Sequence, residues 1–194
     1  MRYLGSIPRR PTIRLEEIYR RPGATIIIGG MLDNYLENET VEKTSKWSGL
    51  ISDAGYSYSD AYVSNINKLL EKGYVVVQLA PHPRAKMDVS KAVFDYANRQ
   101  DYPPMLAKLD LIQLLSYKTE TYFKNAKQSF GLFEKIKHEN YSVISLHTLF
   151  CNTLLQDHCV FNDGKEIYLI DASHPAKKGA QMISSLIAST LQKM

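Results

Sequence analysis

The sequence predicts an α/β fold built on a parallel sheet, and three observations carry that prediction. Runs of β-branched residues without polar alternation recur at Thr25–Gly29, Tyr74–Leu79 and Ser142–Leu146, and such runs suit strands covered on both faces. The segments between them are long enough for the crossover helices that parallel neighbours require. The segment before the second run carries an apolar face at helical spacing and stops at a glycine.

Taken in order, Ser59 to Lys72 places Tyr62, Ile66, Leu69 and Leu70 on one helical face and ends at Gly73, a residue suited to a helix C-terminus. Asp110 to Lys137 reads as mostly helical, with Leu111, Leu114, Leu115, Tyr122, Phe130 and Phe133 on its buried side and a break expected at Gly131. Cys159-Val160-Phe161, then Asn162-Asp163-Gly164-Lys165, then Glu166 to Ile170 reads as a short hairpin, because Asp-Gly between apolar runs favours a tight turn. The last helix, Ala176 to Gln192, puts Ala180, Ile183, Leu186, Ile187 and Leu191 on the face expected to pack on the sheet. No repeat, low-complexity tract or linker interrupts the chain, so residues 1–194 are expected to form a single domain.

Composition narrows the function classes. The 194 residues are 44% hydrophobic and 23% charged, ordinary for a globular protein and unlike a disordered chain or a membrane bundle. The formal charge of +4 is spread thinly, with Arg9-Arg10, Arg20-Arg21 and Lys177-Lys178 the basic doublets, so nucleic acid is not an expected partner. No run approaches the ~18 apolar residues of a membrane span, and Met1 to Pro11 lacks the apolar stretch of a secretory signal. Cys151 and Cys159, separated by seven residues, fit no common zinc spacing; they either close a small disulfide loop or remain two thiols. A disulfide would imply an oxidising compartment.

The segment richest in chemistry is Tyr168-Leu169-Ile170-Asp171-Ala172-Ser173-His174-Pro175, an apolar strand leading to Asp-x-x-His just ahead of a helix. An Asp three residues before a His can hold the imidazole through its Nδ1 proton and leave Nε2 free as a base for a serine hydroxyl. The plainer alternative is that Asp171 caps the last helix or that the pair is a surface turn.

These residues as they stand resemble the last block of the SGNH-hydrolase superfamily. Cys151 and Cys159, the Asn162-Asp163-Gly164 turn, Ile167-Tyr168, Asp171, His174 and Gly179-Ala180 resemble the C-terminal part of the SGNH domain fused to membrane-embedded O-acyltransferases of the acyltransferase family 3 type. Thr25 to Gly30 with Tyr35-Leu36-Glu37, and Val75 to Pro81 with Pro83, resemble middle strands of the same domain, so the resemblance covers about Ile13 to Leu191. It implies a flavodoxin-like three-layer α/β/α fold of strand order 2-1-3-4-5, with the three runs as strands three to five. It also implies O-acylation, O-acetylation in particular, of a bacterial cell-surface glycan such as lipopolysaccharide, or ester hydrolysis when water is the acceptor. His174 would be the base, Asp171 its orienting carboxylate, and Gly30 and Asn34 the oxyanion side, while His82 is a substrate-binding candidate from its place at a strand end. An acyl donor, a glycan hydroxyl acceptor and a membrane-embedded acyltransferase domain are the implied partners, and no metal or organic cofactor is implied.

The chain departs from the family pattern in two places. It contains no Gly-Asp-Ser, the family's nucleophile motif. Ser6 is the nearest counterpart, but fewer than 20 residues separate it from Thr25, too few for the family's second strand and helix. Where the acyltransferase-fused branch carries Arg-Trp, Gly30 is followed by Met31-Leu32-Asp33-Asn34, with Asn34 either an oxyanion donor or a turn residue. The resemblance therefore implies an N-terminally truncated domain whose first strands and nucleophile would lie before Met1, leaving Thr25–Gly29 as an open edge. The expected location is the periplasmic face of the inner membrane if a membrane domain precedes the chain, and otherwise cytoplasmic. A competing expectation is a non-catalytic remnant or glycan-binding module.

Of the other histidines, His82 and His147 follow strand ends, where open α/β sheets place ligand sites, although a turn role is the plainer reading of His82. His138 and His158 lie in polar stretches and are expected to be solvated. Gly-x-Gly-x-x-Gly, P-loop and His-Glu-x-x-His patterns are absent from the sequence. The 13 tyrosines and Trp47 include candidates for sugar stacking, though tyrosines on amphipathic helices more often pack half-buried.

Overall fold

A computed structural model describes residues 18–30, 32–36, 58–98 and 107–194; Ser6 and Trp47 lie outside them. The three apolar runs form parallel strands β1 (Thr25–Ile28), β2 (Val75–Leu79) and, after two intervening residues of an auxiliary strand β3 (Tyr117–Lys118), β4 (Tyr141–Ile144). Their order is β1-β2-β4, with Thr25 beside Val75 and Val76 beside Tyr141. Among the described residues β1 is an outer strand, and Ile27 on it is exposed. The α/β class and the parallel sheet are as the sequence predicts.

Residues on β2 alternate between two cores, which explains why the run shows no polar alternation. Val76 packs with Ile66, Leu69 and Leu70 of α2 (Tyr58–Glu71). Val77 faces the opposite way, onto Ile183, Leu186, Ile187 and Leu191 of α6 (Lys177–Leu191). The result is three layers, with both valines fully buried. Gln78, on the α2 side, is buried but satisfied: it accepts from the Tyr62 hydroxyl and donates to the Leu79 carbonyl at 2.9 Å. The C-terminus of α2 follows the expected glycine signal. Gly73 sits at φ +82°, with the Gly73 and Tyr74 amides bonded back to Leu70 and Leu69.

Four local readings are corrected. The long helix predicted over Asp110–Lys137 is two helices, α4 (Ala107–Leu115) and α5 (Thr119–Phe133), and the break falls at Ser116–Lys118. There β3 pairs antiparallel with β5 (His158–Cys159), and that long-range pairing overrides the local helical pattern. Gly131 lies inside α5, where no neighbour approaches its Cβ position. A helix the pattern reading missed, α3 (Val89–Ala97), is capped by Asp88, whose Oδ1 accepts from the Lys91 amide at 2.8 Å. The Asp-Gly hairpin is wider than a two-residue turn: Asn162 bridges Ile167, and Asp163 Oδ1 accepts from the Lys165 and Glu166 amides. On α6 the apolar face is as predicted except for Ala180, which is exposed while Gly179 is buried.

Cys151 and Cys159 form a disulfide, and both are buried. The loop it closes is turned by Asn152 and Asp157, both at positive φ, and Asn152 Oδ1 accepts from the Asp157 amide at 2.7 Å. Val160 donates to Phe150 at 2.8 Å, so the crosslink fixes Phe150, itself fully buried, in the largest core cluster. Replacing both cysteines by alanine is expected to lower stability by about 2–3 kcal/mol for a loop of this length, read from the midpoint of chemical unfolding.

The close approach of α6 to the hairpin depends on Gly179. A Cβ there would fall on the Tyr168 carbonyl oxygen, backbone that cannot swing away. Gly179→Ala should therefore destabilise the chain by about 1–3 kcal/mol despite the better helix propensity of alanine. An unfolding midpoint at or above that of the parent chain would contradict this packing.

Candidate active site

The C-terminal ends of all three parallel strands converge on one cleft. Gly29 and Gly30 extend β1, Leu79 to His82 leave β2, and Leu146 follows β4. Ser173 and His174 close the remaining side, giving a cleft of about 250 Å³. Open parallel sheets place ligands at this edge. The walls are small and apolar at the strand ends, and the polar groups come from His82 and the 170–175 loop. Gly30 sits at φ +143°, a backbone conformation that glycine tolerates and other residues resist.

That loop is locally determined. Leu169 bridges Pro175, and the Ile170 amide donates to the His174 carbonyl at 2.8 Å, so residues 171–173 form a short closed bend. Asp171 fills it from inside. Its Oδ1 accepts from the Ser173 amide at 2.7 Å and the His174 amide at 2.8 Å, while Oδ2 accepts the His174 Nδ1 proton at 2.6 Å. Those two backbone amides, then the imidazole, hold the Asp171 carboxyl well below the usual carboxylate range. With Nδ1 committed to a carboxylate, Nε2 of His174 carries the free lone pair. The side chain of His174 is 75% exposed and that of Asp171 39%, so the imidazole is open to solvent while its partner is half-covered.

The loop is also braced from the segment after β2. The Ala85 amide donates to the Ala172 carbonyl at 2.8 Å, and Ser90 donates to the Ile170 carbonyl through both its amide (2.9 Å) and its hydroxyl (2.6 Å). His82 donates from Nδ1 to the Pro83 carbonyl at 2.9 Å and lines the cleft beside Ser173. Burial pushes the His82 pKa down and Arg84 adds to that, while the neighbouring backbone of Pro83, Ser173 and His82 itself opposes it.

Of the residues singled out by sequence, Gly30, His82 and His174 line the cleft, and Asp171 lies behind His174. Asn34 lies on α1 (Asp33–Leu36), the short helix that follows Gly30; its side chain is outside the described residues. His147 turns away from the cleft into an aromatic cluster with Tyr122, Phe123 and Phe130, where burial lowers its pKa. His138 is exposed, and His158 is half-buried with Nδ1 donating to the Gln156 carbonyl. Sequence reasoning missed Ser173, Ala85 and Ser90. Ser173 lies within the Asp-x-x-His spacing itself, whereas the braces reach the loop from 80 or more residues away along the chain and leave no local signal. A larger, more open groove of about 530 Å³ along α6 offers apolar and hydroxyl groups, and its Lys178 pairs with Glu166 at 3.2 Å. Among the described residues no helix is long and apolar enough to cross a membrane.

The family model of the SGNH domain fused to AT3 domains matches residues 10–189. Among solved structures, the periplasmic domain of the Salmonella ser. Paratyphi A lipopolysaccharide acetyltransferase is similar at 17% identity and a TM-score of 0.51. The match takes in 93% of this chain but only 61% of that one, and at such identity it speaks for the fold alone. No curated protein matches the sequence.

The Asp171 carboxyl sets an acid limit. Its pKa is depressed in the folded state, so its stabilisation is complete above the ordinary value of 3.8 and is lost as pH falls below it, where the unfolded chain takes up the proton first. In Asp171→Asn that part of the stability profile should flatten. An unchanged acid slope in thermal unfolding would show that the bonds to Asp171 contribute nothing to folding.

Proposed function

The chain belongs to the family of SGNH domains fused to AT3 domains, and on that premise we propose that it works in acyl transfer, O-acetylating a hydroxyl of a bacterial cell-surface glycan such as lipopolysaccharide. The observation that carries the reading is the Asp171 Oδ2 to His174 Nδ1 bond of 2.6 Å beside a cleft at the strand ends.

On this reading a serine-type hydroxyl attacks the acyl carbonyl while His174 Nε2 takes its proton. Asp171 keeps the imidazole in the Nδ1–H tautomer and stabilises the imidazolium. His174 then returns the proton to the departing oxygen. The acyl group passes to an acceptor hydroxyl, deprotonated in turn by His174; water in the same place gives hydrolysis. The cleft wall at Gly30, with Asn34 on the following helix, takes the oxyanion side, and His82 forms the opposite wall. We assign the acid–base pair to this chain and no described residue as the nucleophile.

Residues 1–194 act as one domain in this proposal, with a membrane-embedded acyltransferase domain as the source of the acyl group and the periplasmic face as the site of action. The Cys151–Cys159 disulfide supports an oxidising location. The family's association with AT3 domains supports the partner. The absence of Gly-Asp-Ser from the sequence favours the second reading, a glycan-binding module without turnover.

Hydrolysis of p-nitrophenyl acetate by the full chain separates the two. If the first reading holds, His174→Ala lowers kcat by about 10³-fold or more. Activity equal to the parent's in that variant would overturn the catalytic assignment, and glycan binding without hydrolysis would support the second reading.

A further inference from the structure

The buried face of α5 includes Tyr122, Ala126, Ser129 and Phe133, and Ser129 puts a fully buried hydroxyl into that stripe. A hydroxyl taken from water without a partner costs stability, whereas alanine, already present at 126, would pack there without that cost. Two serines of α6 turn their hydroxyls back to their own helix, Ser184 to the Gln181 carbonyl and Ser189 to the Leu186 carbonyl. Ser129 instead donates across 96 residues of chain to Oδ1 of Asp33, the first residue of α1.

That bond joins α5 to the segment that carries the chain away from the cleft. Leu32 and Leu36, on either side of Asp33, are buried in one cluster with Ala80, Leu132 and Phe133, and the Leu36 amide donates to the Leu32 carbonyl at 3.2 Å. Gly30, just upstream, lines the cleft at φ +143°, and no described atom lies within 4 Å of where its Cβ would stand. Gly30 therefore has no side-chain packing of its own and takes its place from the chain on either side, β1 before it and α1 after it. The leucines fix the depth of α1, and a carboxylate accepting from a buried hydroxyl adds a directional, charge-assisted tie. We propose that Ser129 is a positioning residue: it holds Asp33, and through α1 it fixes the Gly30 and Asn34 side of the cleft, where the oxyanion would develop. This inference rests on the reading of the cleft as an acyl-transfer site.

The test uses the full chain and a double-mutant cycle. Ser129→Ala removes the donor, Asp33→Ala removes the acceptor, and Asp33→Asn keeps an acceptor oxygen. Hydrolysis of p-nitrophenyl acetate and ¹H–¹⁵N NMR are the readouts. Ser129→Ala should lower kcat by about 10-fold, as expected for a displaced oxyanion side, with KM changed by less than about threefold and the His174 Nδ1 proton signal unmoved. Asp33→Ala should match it, the double variant should be no worse than either single one, and Asp33→Asn should retain most of kcat. A Ser129→Ala variant with the parent's kcat overturns the proposal, as does a double variant whose loss is the product of the two single losses. If Ser129→Ala fails to fold, the contrast between Asp33→Ala and Asp33→Asn decides. If the parent chain hydrolyses no ester, the functional reading fails, and NMR alone decides whether Ser129 positions this wall: in Ser129→Ala the Gly30 amide signal should move and the Leu36 amide should exchange at least about 10-fold faster, whereas parent values at both overturn the proposal.

Discussion

Asp171 divides its two oxygens between different tasks, and the site depends on that division. Oδ1 takes two amides of its own loop, and Oδ2 takes the imidazole. The backbone bonds do the structural work: without an internal acceptor the amides of Ser173 and His174 would turn to water, and the bend from β-bridge to helix would lose its shape. The bond to the ring is made by a carboxylate already fixed in place, so orienting His174 adds little entropic cost. A carboxylate so well supplied with donors stays ionised, the condition for stabilising an imidazolium beside it.

The fold brings the loop to this position from two directions. The hairpin delivers Tyr168 and Leu169 as buried anchors, and the Tyr168 carbonyl accepts from the Ala176 amide at the start of α6. Gly179 lets that helix approach the same carbonyl closely, so helix, bridge and loop share one short piece of backbone. From the other direction, the segment after β2 ties the loop to the sheet. Because β2 is central, with a fully buried valine directed to each face, its C-terminal end is among the most firmly held points of the molecule.

Much of this plan is legible in the sequence, and the boundary between what is and what is not has a physical basis. Strand runs such as Val75–Leu79 announce themselves because two-sided burial demands apolar residues at every position, apart from Gln78, which Tyr62 satisfies. The Asp171–His174 pair is legible because its chemistry lies within four residues. The break between α4 and α5 is not, since it is imposed by pairing of Tyr117 with Cys159. The braces at Ala85 and Ser90 are invisible for the same reason: a serine in the first turn of a helix looks like any other until the Ile170 carbonyl is found against it. His147 misleads in the opposite sense. It follows a strand end as a site residue would, yet its ring is drawn into Tyr122, Phe123 and Phe130 because aromatic burial outweighs exposure.

The exposure of His174 bears on which reaction the proposed site would favour. A side chain 75% open to solvent admits water as readily as a sugar hydroxyl, and water is present at a far higher concentration. Transfer therefore requires something that excludes water or holds the acceptor at the ring; orientation by such contacts can supply an effective concentration well above that of a free reactant. The cleft of about 250 Å³ encloses a small acyl group more readily than a glycan. On the proposed reading the chain thus supplies acid–base chemistry and acyl-sized shape, while preference for an acceptor over water must come from contacts around the rim of the cleft. Partition between transfer and hydrolysis would then report on that rim, whereas total turnover would report on Asp171 and His174.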